Sequence, residues 1–76
     1  MGWNDFIRDF AEQFDEIDLN SLTHETKFRE LDNWSSIVAL SIVAMVDEVY
    51  DITLQGDDML RVATVGELFC MIKDKL

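Results

Sequence analysis

A chain of 76 residues is long enough for one domain, which we expect to span residues 1–76. Its net charge is -10, from 16 acidic and 6 basic residues, which argues against nucleic acid and anionic membrane as partners because both need basic surface. Such a surface serves solubility and also suits partners with Lys/Arg patches. A hydrophobic content of 49% is too high for a disordered acidic chain.

The first residues and the only cysteine bear on where the protein works. Cys70 has no partner for an internal disulfide, which fits a reducing setting. The chain starts with neither a basic segment nor an apolar one, so no signal peptide is expected. The apolar run at residues 37–46 is too short to span a bilayer. We expect a cytoplasmic monomer without a membrane span.

The first predicted helix covers about residues 3–14. Its apolar residues recur at helical spacing and form one stripe: Trp3, Phe6, Ile7, Phe10 and Phe14. A long connection follows at residues 15–33, in which Phe28 and Leu31 are expected to turn inward from a short helical turn. His24, the only histidine, is expected to be a solvated loop residue because no second His or Cys lies near it.

The second predicted helix, at about residues 36–50, has apolar residues on both sides. A wheel of 3.6 residues per turn places a core-facing set on one side: Ala39, Ile42, Val43, Val46, Val49 and Tyr50. The other side carries Ser36, Ser41, Asp47 and Glu48, with Ile37, Leu40 and Ala44 among them. Isolated surface hydrophobes are common, but three beside one serine favour a contact patch.

Two further helices complete the predicted fold. A short one fits residues 57–61, after Gly56 and with Asp57 as its cap. The last begins at the N-cap Thr64, with Glu67 three residues on. Its inner stripe comprises Val65, Leu68, Phe69, Ile72 and Leu76, and Cys70 lies off that stripe as an inert thiol. The chain is therefore predicted to be all-α, a small bundle of three main helices plus one short helix.

Catalytic signatures are missing from the sequence. It has no Gly-x-Ser-x-Gly elbow, no Gly-rich phosphate loop, and no acidic run with the spacing of a calcium loop. We predict neither catalytic residues nor a metal site. What remains is Ser36, at the start of a helix whose free N–H groups and dipole favour an anion. Ser36 is thus well placed to carry a phosphate ester.

Two motifs carry a resemblance to a known family. Ser36-Ile37 and Tyr50-Asp51-Ile52 are similar to the Ser-Leu pair and the helix end of acyl carrier proteins and related phosphopantetheine-carrying domains. The resemblance extends from Phe6 to Ile72. Ser35 departs from it, because the family usually has Asp there. Trp34 resembles stand-alone carriers of accessory pathways more than housekeeping fatty-acid carriers.

The resemblance implies a carrier protein and not an enzyme. A phosphopantetheinyl transferase would attach a 4'-phosphopantetheine arm to Ser36, and the arm would carry acyl or aminoacyl groups for fatty-acid, polyketide or related accessory biosynthesis. Further partners would be a loading ligase for acyl or aminoacyl groups and a ketosynthase or acyltransferase with basic patches. The partner face would combine an apolar part with two acidic recognition positions: Trp34, Ile37, Leu40 and Ala44, then Asp47 and Glu48.

Several alternatives stay open at this level. Ile42, Val46 and Leu68 are candidates to line a cavity for an acyl chain, or they are plain core. Trp34 is either a partner contact or an anchor for the long connection. Ser35 is expected to cap the helix, as Asp would. The chain as a whole could be a carrier that is never loaded, or a helical protein-interaction module without a prosthetic group.

Overall fold

Helices form nearly all the regular structure in the computed structural model, which describes residues 2–76. The α-helices are α1 (Trp3–Ala11), α2 (Ser36–Tyr50), α3 (Gly56–Arg61) and α4 (Val65–Lys75), and the connection from α1 to α2 contains two 3₁₀ helices, Leu19–Ser21 and Phe28–Glu30. Within this range, β pairing is confined to an isolated antiparallel bridge between Lys27 and Thr64. The predicted all-α bundle of three main helices plus one short helix is confirmed.

The helix α1 ends earlier than its apolar stripe predicts. It stops at Ala11, and the chain continues in tight turns in which the Phe14 amide donates to the Ala11 carbonyl at 3.1 Å. Phe14 is nevertheless buried, together with Phe6, Ile7 and Phe10. A tightened turn brings Phe14 to the core as well as another turn of α-helix would.

The long connection contributes the buried side chains of Leu22 and Phe28 to the core. Phe28 is fully enclosed, as predicted, and Leu31 packs against the core from a half-buried position. Leu22 is also buried, which the sequence pattern did not indicate. Asp18 stabilises the first 3₁₀ helix by accepting a hydrogen bond from the Asn20 amide at 2.9 Å. The connection is thus tied to the bundle at several points.

The bounds of α2 match the prediction, but its buried face is rotated. Ile42 and Val46 are fully buried, and Val38 and Met45 are buried beside them. Val49, predicted to face the core, is 53% exposed. The wheel gives weak contrast here because residues 36–45 carry no charge. A wheel gives a direction only, and it does not show that Val49, near the end of α2, stays about half exposed.

The short helix α3 begins one residue earlier than predicted. Its N-cap is Gln55 and not Asp57. The backbone amide of Gln55 donates to the carboxylate of Asp58 at 2.9 Å. Asp58 is buried and also lies 3.9 Å from the Lys75 ammonium. The carboxylate at the third helical position satisfies the free amide before the helix, which explains the shift of the start.

The start of α4 is a capping box, as predicted. The Thr64 hydroxyl accepts from the Glu67 amide at 3.1 Å, while the Glu67 carboxylate accepts from the amides of Ala63 (2.7 Å) and Thr64 (3.2 Å). These backbone hydrogen bonds, that from Ala63 first, lower the pKa of Glu67. At the other end Leu76 is 63% exposed, contrary to the prediction, because it follows the last helical residue.

Side chains of α1, α2, α4 and the long connection enclose the centre of the molecule. The largest fully buried side chains are Phe6, Phe10, Phe28, Ile42, Val46, Val65, Leu68 and Ile72. Burying a side chain of this size contributes roughly 1.5–3 kcal/mol relative to leaving it exposed. At the edge of this core, His24 stacks on Trp3 with ring centroids 3.7 Å apart. His24 is exposed, as expected, yet it is held in place by this contact.

Candidate functional site

Two adjacent serines at the start of α2 have different surroundings. Ser35 is the N-cap, with extended backbone, and its hydroxyl accepts from the Val38 amide at 3.3 Å. The predicted capping role of Ser35 is confirmed. Ser36 is the first helical residue and is exposed. Because Ser35 does the capping, the Ser36 hydroxyl is available to solvent at the positive end of the helix dipole.

The turn before these serines is anchored to the rest of the molecule. The Asn33 amide side chain donates to the Glu16 carbonyl, and the Trp34 backbone amide donates to the Leu31 carbonyl at 3.0 Å. The Trp34 ring lies 4.9 Å from that of Phe28 and 6.3 Å from that of Phe14. Trp34 is half-buried, so its ring anchors the turn and still presents one part to solvent.

An open groove of about 760 Å³ runs beside Ser36 between α2 and α3. Its walls are mostly apolar, with Arg29 and Asp57 as the charged residues; the lining comprises Arg29, Trp34, Ser35, Ser36, Ala39, Leu40, Val43, Gly56, Asp57, Met59 and Leu60. Leu40 on α2 is 69% exposed, and Leu60 on α3 is 74% exposed. A groove whose walls carry two large, solvent-exposed apolar side chains is suited to bind an apolar ligand or partner.

The residues that the sequence suggested for an acyl-chain cavity do not line this groove. Ile42, Val46 and Leu68 are fully buried in the core and are absent from the groove lining. Of the two interpretations of these residues, plain core is the one that the structure supports. The groove is instead formed by the neighbouring side chains Val43 and Met59 with the exposed leucines.

The six predicted partner-face residues lie along one helix and the turn before it. Ile37 is 76% exposed, and Ala44, Asp47 and Glu48 are exposed further along α2. Residues 36–45 carry no charge, so carboxylates occupy only the last turns of α2. On α2 itself the surface that follows Ser36 is therefore uncharged, and its acidic surface begins about three turns later.

Acidic residues at the end of α2 lie where the helix dipole disfavours them. Asp51 caps this end in the left-handed conformation with φ of 57°, and its amide donates to the Asp47 carbonyl at 3.0 Å. Negative charge at a helix C-terminus is unfavourable by some tenths of a kcal/mol per residue. Asp47, Glu48 and Asp51 are all exposed on the surface.

Arg29 and Leu60 were missed as site residues by sequence reasoning. An Arg29 guanidinium N–H donates to the Met59 carbonyl, thirty residues on, at 2.8 Å, and the guanidinium lies 5.1 Å from the centre of the Phe28 ring. A contact between residues thirty positions apart leaves no signal in the local sequence. For Leu60 there was a signal, because it stands between Met59 and Arg61 in a helix too short to bury every apolar residue.

The described residues offer neither a metal site nor a membrane-spanning helix. Across residues 2–76, no three His, Cys, Asp or Glu side chains are grouped so that they could hold a metal ion. No helix in that part of the chain has the length and apolar content to cross a membrane. A further open groove of about 610 Å³ includes His24, Arg61 and the exposed thiol of Cys70, on the α4 side of the molecule.

Comparison with known proteins gives a weak but extended similarity. No family model matches the chain. It is similar to an acyl carrier protein from an Exiguobacterium species, with 29% identity over 59 residues, which are 78% of this chain and 75% of that relative. This similarity points to the same family as the motif around Ser36. It supports a carrier role in general.

Proposed function

We propose that this chain is a stand-alone acyl or aminoacyl carrier protein that bears a 4'-phosphopantetheine arm on Ser36. The observation that carries the proposal is the position of Ser36, an exposed serine that takes no part in capping, at the start of α2 and beside an apolar groove. The similarity to an acyl carrier protein supports a carrier role in general. The serine's position relative to Asp51 supports the specific attachment point.

Attachment of the arm is a transfer reaction in which Ser36 is the acceptor. A phosphopantetheinyl transferase would remove the hydroxyl proton, and the Ser36 oxygen would form a bond to the phosphorus that bears the pantetheine group in coenzyme A. The bond from this phosphorus to the bridging pyrophosphate oxygen breaks, and 3',5'-adenosine bisphosphate leaves with the bonding electrons. No group of this chain needs to act as a base, which agrees with the sequence around Ser36.

The residues around Ser36 fit such an arm. Ser36 is exposed to solvent, the first amides of α2 provide positive potential for a phosphodiester, and the serine itself lines the groove. When attached, the arm would supply a thiol that holds cargo as a thioester. Leu40, Val43, Met59 and Leu60 would shelter apolar parts of the arm or cargo from water.

The proposed partners would meet two chemically different parts of one surface. The transferase, the loading ligase and a ketosynthase or acyltransferase would contact the apolar residues Trp34, Ile37, Leu40 and Ala44 near the attachment point. Asp47 and Glu48 would face Lys or Arg side chains on those enzymes and steer their approach. Tethering the cargo would raise its effective concentration at each active site.

An unloaded helical interaction module is the alternative function. Ser35 favours it to a degree, because the residue usual in the family at this position is Asp, whose charge a transferase or its metal ion could use. A serine hydroxyl caps the helix but supplies no charge. If this charge matters for the rate, Ser35→Asp should accelerate loading of the carrier, whereas no variant at position 35 would cause loading of a module.

Intact mass tests the proposal after co-expression with a broad-specificity transferase or incubation with the transferase and coenzyme A. We expect the parent protein to gain the mass of one 4'-phosphopantetheine group. We also expect the gained group to provide one thiol that accepts an acyl group from a loading enzyme. A protein that stays unmodified with several transferases, while a known carrier is modified in the same mixture, would contradict the proposal.

A further inference from the structure

The lining of the groove beside Ser36 includes one cationic side chain, that of Arg29. Arg29 and Asp57 are the charged residues of the lining, and Arg29 is the positive one. The other lining side chains are apolar, small or hydroxylated. Ser36 and Arg29 thus line the same groove, so an anionic group attached to Ser36 would share that groove with one guanidinium.

Arg29 is held in place by two contacts. One of its guanidinium N–H groups donates to the Met59 carbonyl on α3 at 2.8 Å, and the guanidinium lies 5.1 Å from the centre of the Phe28 ring. Phe28 in turn packs against Trp34, two residues before Ser36, with ring centroids 4.9 Å apart. A guanidinium has five N–H donors. Donors beyond the one used on Met59 remain for a ligand in the groove.

Glu67, whose carboxylate is near enough to Arg29 to feel its charge, already accepts hydrogen bonds from two backbone amides. Arg29 contributes to lowering the pKa of Glu67, but the larger causes are the amides of Ala63 and Thr64, which donate to that carboxylate. Among the residues described, the ion pairs closer than 4 Å involve other cations, namely Arg8, Lys27 and Lys75. Among the described residues, Arg29 therefore takes part in none of these three ion pairs.

We propose that the Arg29 guanidinium binds the phosphodiester of an arm carried on Ser36 and holds the start of that arm against the groove. The inference rests on the proposed function, since it needs the arm. A phosphodiester has two oxygens that share one negative charge, and the guanidinium fork suits such a group better than an ammonium does. Arg29 would then be a positioning residue that links the attachment point to α3 through Met59.

The test is a cycle of four proteins: parent and Arg29→Gln, each unloaded and loaded. In the parent, loading is expected to raise the melting temperature more than in Arg29→Gln, with a difference of about 2–4 °C for one charge-assisted contact on a small domain. Arg61→Gln is the matched control, because it removes one positive charge from α3 without touching this groove. It should respond to loading as the parent does.

Equal responses of parent and Arg29→Gln to loading would overturn the inference. Since Arg29→Gln also weakens the contact with Met59 and could fail to fold, NMR of the parent gives a second test. The Arg29 side-chain N–H resonances should shift and exchange more slowly with water after loading, and unchanged resonances would overturn the inference. Intact mass is measured first: a parent that gains no mass contradicts the proposed function, whereas a loaded parent without the Arg29 effects contradicts this inference alone.

Discussion

Tyr50, the single tyrosine of the chain, connects the end of α2 to α1. Its hydroxyl donates to the Asp9 carboxylate at 3.2 Å, and its ring lies 6.3 Å from that of Phe6. Burial, then the charge of Asp9 and the hydrogen bond to it, raise the pKa of Tyr50 to about 12. The helical wheel predicted that Tyr50 faces the core, but its partner Asp9 is 41 residues away and could not be identified from the local sequence.

Titration of this tyrosine by its ultraviolet absorbance is a direct test of that contact. We expect a midpoint near 12 in the folded protein, compared with the ordinary value of 10.0. Since the folded pKa is the higher one, the contribution of Tyr50 to stability is complete below pH 10 and is lost as the pH rises toward 12. Tyr50→Phe should remove this part of the stability profile.

Asp9→Asn separates the causes of the shift. Without the carboxylate the midpoint should fall, but it should stay above 10 because burial is the largest cause. A midpoint near 10 in the folded parent protein would show that Tyr50 is solvated and does not contact Asp9.

At the scale of elements, the start of α4 docks on the long connection through its backbone. The amides of Val65 and Gly66 donate to the carbonyls of Thr26 and His24, each at 2.9 Å. Two of the free amides of the helix start are satisfied in this way. The docking needs a residue without a side chain, because a Cβ on Gly66 would lie 2.6 Å from the His24 carbonyl oxygen.

Gly66→Ala should therefore destabilise the protein, by about 1–3 kcal/mol, since backbone must move to relieve the clash. Gly56→Ala is the matched control: it lies at the start of α3, and a Cβ there meets nothing within 4 Å. It should be neutral or stabilising by up to about 1 kcal/mol because the unfolded chain becomes less flexible. Chemical denaturation of both variants measures this difference, and equal midpoints would contradict the docking of α4.

The acidic end of α2 is the element that we expect to steer partners. Asp47→Lys with Glu48→Lys should reduce the rate of transfer to or from partner enzymes, and the remaining rate should depend less on salt. Both side chains are exposed, so the unfolding midpoint should change little. Kinetics at two ionic strengths measure the effect.

Glu25→Lys with Asp74→Lys is the control for this reversal of charge. Both residues are exposed and neither lines the groove beside Ser36, so the net charge changes equally while the proposed partner face is retained. If both double variants slowed transfer to the same extent, total charge and not α2 would be responsible.

The starts of α2 and α4 were predictable, whereas the buried face of α2 was predictable only in part: Ile42 and Val46 are buried as predicted, and Val49 is exposed. Ser35 and Thr64 cap through hydrogen bonds within three residues, so that local sequence determines them. Whether Val49 or Met45 is buried depends on which element packs against that end of the helix. With apolar residues around most of α2, the local pattern cannot distinguish the two.

At the scale of the whole molecule, most of the acidic charge has no close counter-charge. The chain has 16 acidic residues, and three ion pairs are present among residues 2–76 at 3.8–3.9 Å. The radius of gyration is 11.2 Å, close to the screening length of about 10 Å at 0.1 M salt. Carboxylates on all sides of the molecule therefore repel one another at low salt.

Added salt, or a divalent cation at millimolar concentration, should therefore raise the melting temperature by a few degrees. A variant with Asp47→Asn, Glu48→Gln and Asp51→Asn should be more stable at low salt and respond less, since it lacks the acidic end of α2. Asn also tolerates the left-handed conformation of residue 51. Thermal unfolding at several salt concentrations provides the comparison, and a melting temperature independent of salt in the parent would exclude charge repulsion as a significant term.

The groove was the part of the candidate site that sequence reasoning could not supply. Ser36 was predicted from a local turn and from its distance to Asp51. The wall formed by Leu60 and the cation Arg29 requires α3 and the 3₁₀ helix at Phe28–Glu30 to meet α2. That arrangement depends on tertiary contacts such as the one between Arg29 and Met59, which no short pattern encodes.

We propose Ser36, and not Ser35, as the attachment point, and the intact masses of two alanine variants after incubation with transferase and coenzyme A distinguish the two serines. Ser35→Ala should be loaded, although loss of the cap to Val38 should lower its stability by about 1 kcal/mol. Ser36→Ala should keep its stability and gain no mass. Loading of Ser36→Ala, with none of Ser35→Ala in its folded state, would contradict the account.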